Sequence, residues 1–190
     1  MYELVRTPRQ QKQFRRTWEY FCQKNNWYND PYAANGIRYH LIRPRVSLWS
    51  RRKVIGTIEF IPYDPSNPYS TVEGPHKCRF SEYEDVRQHQ ERTWEIDKLC
   101  IHEDYQRKGY FEAFAAIFFE HAVRYRPKYY LALIEKKFYR MLRISFGLHL
   151  EQRGNPLPCD TTELIPVLFH MESFVPELER KWIRRQPQQQ

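Results

Sequence analysis

Nothing in this sequence divides it. No Ser/Gly-rich linker or shift in composition interrupts its 190 residues, a length that suits one domain with a real core, expected over 1–185 ahead of a polar tail at 186–190. No apolar run is long enough to span a bilayer: the longest, 110–123, is interrupted by Glu112, Glu120 and His121. The opening "MYELVRTPRQQKQF" turns charged at once and lacks the apolar core of a secretory leader, so a soluble cytoplasmic protein is expected. The four cysteines, Cys22, Cys78, Cys100 and Cys159, form no C-x-x-C pair, and the seven histidines form no H-E-x-x-H. Buried reduced thiols and no metal are therefore expected.

The sequence does carry a net charge of +8, which favours polyanionic partners. Its basic residues are spread along the whole chain and no DNA- or RNA-binding motif accompanies them, so nucleic acid is not the expected partner. A phosphorylated small ligand or carrier accounts for the charge as well.

Strand-type and helix-type segments alternate. "YELVR" reads as a strand; 8–24 as a helix with Pro8 at its start and Phe14, Trp18 and Phe21 on one face; 37–42 and 53–61 as strands. The stretch 62–77 is dense in turn formers and reads as a loop. A strand over 93–101, a helix over about 107–126, a strand in "KYYLALI", a helix around 138–144 and a last strand in "TELIPVLFHM" follow. Such interleaving implies an α/β or α+β domain with a mixed sheet.

The junction between the strand 93–101 and the helix after it is the most informative stretch. Phe111, Phe114, Ala115, Phe118, Phe119 and Ala122 recur at helical spacing, so one face of that helix is expected against the sheet. "QRKG" just ahead of it would present backbone N–H groups at the positive end of the helix dipole, with Arg107 and Lys108 adding charge: a cradle for phosphate. The plainer reading is a strand-to-helix turn with solvated basic residues.

"QRKGYF" resembles motif A of the GNAT acyltransferase superfamily, Gln/Arg-x-x-Gly-x-Gly/Ala. Gln106 and Gly109 match its first two fixed positions; Phe111 stands where a small residue is usual. The resemblance covers roughly 54–150. It implies a GNAT-like fold with a mixed, mostly antiparallel sheet and helices on both faces, and acetyl-CoA or a longer acyl-CoA as co-substrate. The pyrophosphate would lie on the loop amides of Gln106, Arg107, Lys108, Gly109, Tyr110 and Phe111, and the pantetheine arm along Leu99, Cys100 and Ile101. It further implies N-acyl transfer to a small-molecule or peptide amine, with Tyr139 of "FYRML" protonating the departing thiolate; here Gly147 follows that tyrosine about one helical turn later than the family pattern has it.

Amide formation from a thioester needs a neutral amine, hence a proton acceptor. In "WEIDKLCI", Glu95 and Asp97 alternate with Ile96 and would share one face of the strand. Glu95 also lies about as far before Gly109 as the base glutamate of the superfamily's histone-type members, so it ranks first and Asp97 second. The alternative is a pair of solvated carboxylates matched to Lys98 or arginines. A second resemblance, to acyl-homoserine-lactone and long-chain N-acyl amino acid synthases, rests on "FRRTWEYFCQKNNWYNDPY", "WEIDKLCI" and "LRISFGLHLEQRGNPLPCDTTELIPVLF". It implies acyl carrier protein as donor, with Arg15 or Arg16, Trp18, Trp27, Trp94 and Glu95 in the substrate region and Asp97-Lys98 in place of that group's Ser-Arg. A basic binding domain with a lapsed catalytic site is the non-enzymatic alternative.

Overall fold

Thr7 and Pro8 set the first long helix. The Thr7 side chain accepts from the Gln10 backbone N–H at 3.2 Å while the Gln10 side chain accepts from the Thr7 backbone at 2.9 Å, a reciprocal cap. Pro8, with no N–H to lose, occupies the first turn. The helix ends where Asn26 turns left-handed at φ 55°.

The structure, a computed structural model, describes residues 1–44, 52–159 and 162–180; the expected tail at 186–190 lies outside them. In chain order the elements are β1 (Tyr2–Leu4), α1 (Pro8–Asn25), β2 (Ile37–Ile42), β3 (Val54–Pro62), α2 (Glu84–Gln88), β4 (Thr93–Ile101), α3 (Phe111–Tyr125), β5 (Tyr129–Glu135), α4 (Lys136–Phe146), β6 (Leu150–Gln152), β7 (Leu157–Cys159), β8 (Thr162–His170) and α5 (Met171–Leu178). The strands make a mostly antiparallel mixed sheet of eight. No helix among the described residues is long and apolar enough to cross a membrane.

The chain divides into two compact units, Met1–Ile61 with Asp97–Phe118, and Pro62–Ile96 with Phe119–Gln190. In the first, β1 pairs antiparallel with β2, and β2 with β3 through Ile37↔Phe60 to Ile42↔Val54, with an irregularity at Leu41/Ile42. β3 neighbours β4, and Gly56 is required there. A Cβ on it would be driven into the backbone carbonyl oxygen of Cys100. The buried face of α1 supplies Phe14, Trp18, Phe21 and Cys22, as its periodicity predicts.

In the second unit the start of β4 pairs parallel with β5 at Thr93↔Tyr129, Trp94↔Tyr130 and Glu95↔Leu131. β5 runs antiparallel to β8 from Tyr129↔His170 to Glu135↔Leu164. β6 and β7 then pair with opposite ends of β8. Tyr63, Val72, Cys78, Phe80, Val86, Tyr129, Leu131 and Leu168 form its core cluster.

Three expectations change. α3 starts at Phe111 rather than Arg107, because Arg107 has φ 58° and Gly109 φ 79°, left-handed values that no helix interior accommodates. Its buried face includes Ile117 and His121 as well as Phe114, Ala115, Phe118 and Ala122, while Phe111 and Phe119 are only half-buried. Cys159 is half-buried rather than buried; all four thiols are free.

Candidate functional site

β4 delivers the two carboxylates singled out in the sequence to different environments. Glu95 is fully buried. One carboxylate oxygen accepts from the Ser70 hydroxyl at 2.7 Å; the other accepts from the Thr71 N–H and hydroxyl, both at 2.7 Å. It thus ties the turn-rich segment after β3 to the strand. Asp97 keeps 15% of its side chain exposed and pairs with the Lys98 ammonium. The strand alternation breaks beside it, since Lys98 adopts φ 51°.

Beyond β4 the chain enters a short 3₁₀ turn, Glu103–Tyr105. The Gln106 side chain reaches back and donates to the Ile101 carbonyl at 3.1 Å, and the Gln106 N–H donates to the Glu103 carbonyl at 3.1 Å. This fixes where the loop leaves the strand. His102 stacks on Tyr20 of α1 with ring centroids 5.5 Å apart, and Glu103 pairs with Lys24 of the same helix, so α1 holds the turn at two points. Hydrogen bonds from Lys24 hold the Glu103 carboxyl down at about 2. Arg107, Lys108 and Gly109 are exposed, and Arg107 and Gly109, two residues apart, are both left-handed. Successive N–H groups in such turns line an anion-binding concavity. A Cβ on Gly109 would meet nothing within 4 Å, so the space beside that residue is open.

Leu99 and Ile101 are half-buried and Cys100 is buried. Burial pushes the Cys100 thiol up to about 12, although the Thr57 hydroxyl 3.0 Å away favours the thiolate. Cys100 is therefore an inert packing group. It sits in an aromatic cluster with Trp18, Phe21 and Cys22, against which Trp27 and Tyr32 pack. Trp18 and Trp27 have ring centroids 5.8 Å apart, and the Arg15 guanidinium lies 5.0 Å from the Tyr32 ring centroid. Of the residues named for the synthase resemblance, Arg15, Arg16, Trp18 and Trp27 belong to one compact unit, as do Asp97 and Lys98. Trp94 and Glu95 belong to the other, where the Trp94 ring packs edge-on to His121 at 4.7 Å. Tyr139 is half-buried on α4, whose C-terminus Gly147 caps with a left-handed φ of 57°.

Sequence reasoning missed Ser70 and Thr71, the partners of Glu95; their only signal was hydroxyl residues in a loop. It also missed Glu59 and Arg38. Glu59, wholly buried, bridges the Arg38 guanidinium at 2.6 Å and the Lys98 ammonium at 3.3 Å. A charged residue inside each apolar strand run, Arg38 in "IRYHLI" and Glu59 in "TIEFI", was the available hint.

No family model matches the sequence, and no curated protein does. Solved structures share its fold. FeeM, an N-acyl amino acid synthase from uncultured soil microbes, is similar at 11% identity over 92% of this chain and 94% of that one, with a TM-score of 0.60. MesI, a CoA-dependent acyl-homoserine lactone synthase, is similar at 13% identity over 96% and 95%, TM-score 0.57. A spermidine N-acetyltransferase from Vibrio cholerae, solved with CoA and spermine, is similar at 10% identity over 92% and 98%, TM-score 0.56. At these identities the likeness is one of fold: this chain has the GNAT-like acyltransferase fold.

Proposed function

We propose that the protein is an N-acyltransferase that moves an acyl group from acyl-CoA to a primary amine by direct attack. The observation that carries this reading is the loop after β4, left-handed at Arg107 and Gly109, open beside Gly109 and leading straight into α3. The Gln106 N–H is already given to the Glu103 carbonyl, so the cradle narrows to the amides from Arg107 to Tyr110, which suit the diphosphate of coenzyme A, and Arg107 and Lys108 add a screened attraction. With the amine nitrogen attacking the thioester carbonyl carbon, the C–S bond breaks, the amine surrenders a proton to a carboxylate and the thiolate gains one. Tyr139 is the proton donor that the family resemblance assigns.

Between the two carboxylates, the geometry favours Asp97. Glu95 has three of its roughly four lone-pair sites taken by Ser70 and Thr71, and its role in this reading is to hold the segment after β3 in place. Asp97 keeps an exposed side and one cationic partner, which suits a group that must meet an incoming ammonium. Removal of such a base costs roughly 10²- to 10⁴-fold in kcat with donor affinity little changed.

The aromatic cluster of Trp18, Trp27 and Tyr32 against Cys100 favours a second reading. In it the donor is a long acyl chain, carried by CoA or by acyl carrier protein, and the acceptor an amino acid derivative. Calorimetric titration with acetyl-CoA and with longer acyl-CoAs, followed by thiol-release screening of amino acids and polyamines, tests both. Tighter binding with each added methylene favours the long-chain reading; binding of none, with no thiol release, leaves a basic binding domain. Gly109→Val should weaken donor binding far more than Lys108→Ala, because a side chain blocks backbone approach whereas one exposed lysine supplies little. Equal losses would count against the amide cradle.

A further inference from the structure

Lys98 is buried to 1% exposure on a strand and held at φ 51°. Left-handed backbone is unfavourable for any residue with a Cβ, and burying an ammonium is costly unless its partners are well placed. Two carboxylates meet it: Asp97 from its own strand, and Glu59 of β3 at 3.3 Å. Glu59 is itself fixed by Arg38 of β2 at 2.6 Å, and Gly36 leaves the space its carboxylate occupies. The Tyr32 ring covers the cluster, 5.0 Å from the Lys98 ammonium and 5.7 Å from the Arg38 guanidinium. Apolar residues of similar volume commonly stabilise a fold as well as a buried ion pair does. Stability alone therefore gives no reason to keep a strained lysine here, and strained residues concentrate at working sites.

We infer that Lys98 is a positioning residue: its ammonium, anchored by Glu59, aims the Asp97 carboxylate at the incoming amine. This rests on the reading of Asp97 as the proton acceptor. The other groups facing the cluster are Cys22 and Glu19 of α1, Asp30, and Arg15 above the Tyr32 ring. Cys22 does not compete for the proton, since burial pushes its thiol up to about 11. Glu59 is the group that could, because burial raises its carboxyl even though Lys98 and Arg38 pull the other way.

The test uses Lys98→Met, Glu59→Gln and the two combined in the full chain. The readouts are thermal midpoint, the Asp97 carboxyl titration followed by carbon NMR and, with the donor and amine that release thiol, the pH–rate profile. In Lys98→Met the Asp97 titration and the acidic limb should both move to higher pH by about one unit or more, since an adjacent opposite charge is lost. kcat should fall at least roughly tenfold at neutral pH with donor KM unchanged. The combined variant removes one charge of each sign, so its midpoint should return toward that of the unaltered protein while the shifted titration and limb persist; Glu59→Gln alone, which loses the anchor, should lower kcat. If the combined variant restored the limb along with the midpoint, or if the Asp97 titration stayed put in both Lys98 variants, Lys98 would be a structural ion-pair member only. Asp97→Asn separates the two claims. Full turnover in that variant removes the reading of Asp97 as the base and this inference with it; lost turnover combined with an unmoved limb in Lys98→Met removes this inference alone.

Discussion

His121 should make the fold acid-sensitive by an amount that its surroundings set. It is fully buried on α3, with Nδ1 2.6 Å from the Tyr130 hydroxyl, the Trp94 ring edge-on at 4.7 Å and Tyr125 at 4.5 Å. Burial, with Arg124 adding to it, lowers its pKa from 6.5 to about 3. A base with a depressed folded pKa stays neutral in the native chain while the unfolded chain takes up a proton. Stability from this group is therefore complete above about pH 6.5 and lost as pH falls through 6.5 toward 3, at a limiting slope of about 1.4 kcal/mol per pH unit. Going from about pH 7.5 to about pH 5, the loss attributable to His121 is about 2 kcal/mol. Urea unfolding of the unaltered protein and of His121→Gln at the two pH values isolates it, because other titrating groups contribute equally to both. The unaltered protein should lose about 2 kcal/mol more than the variant over that interval, and Tyr130→Phe should keep most of the slope. Equal losses in the unaltered protein and His121→Gln would refute the reasoning.

Gly56→Ala should destabilise by more than about 2 kcal/mol, since the new methyl meets the rigid Cys100 carbonyl, whereas Gly109→Ala, with open space around it, should cost only about 1–2 kcal/mol for its φ of 79°. Chemical denaturation of the two variants side by side checks the order; a costlier Gly109→Ala would mean that the loop carries a packing role. Thr7→Ala should cost about 0.5–2 kcal/mol through loss of the α1 cap, read as a lowered thermal midpoint. Glu95→Gln should cost about 1–3 kcal/mol. The Ser70 hydroxyl oxygen already accepts from the Val72 and Glu73 N–H groups and would lose the acceptor for its own proton. Faster proteolysis between β3 and α2 is the accompanying readout, and an unchanged cleavage rate would show that the segment does not depend on Glu95.

Local sequence determined the pieces whose cause is local. Pro8 behind Thr7 starts α1, the run "TWEIDKLCI" has strand boundaries that coincide with β4, and Gly109 marks the turn that needs a left-handed residue. The spacing of Phe114, Ala115, Phe118 and Ala122 defines one face of α3 before any neighbour is known. What the sequence could not supply is whatever depends on a partner far along the chain. β6 and β7, three residues each, exist because β8 offers them hydrogen bonds, and neither is long enough to show a period. The left-handed turn at Arg107 moves the start of α3 by four residues, against an ordinary propensity for helix. Glu95 and Asp97 read as equivalent neighbours two residues apart. They differ because Ser70 and Thr71, some 25 residues earlier, saturate one, while the backbone reversal at Lys98, anchored by Glu59 from β3, leaves the other partly open. A period of two says which residues share a face; which donors wait on that face is decided only when the strands are brought together.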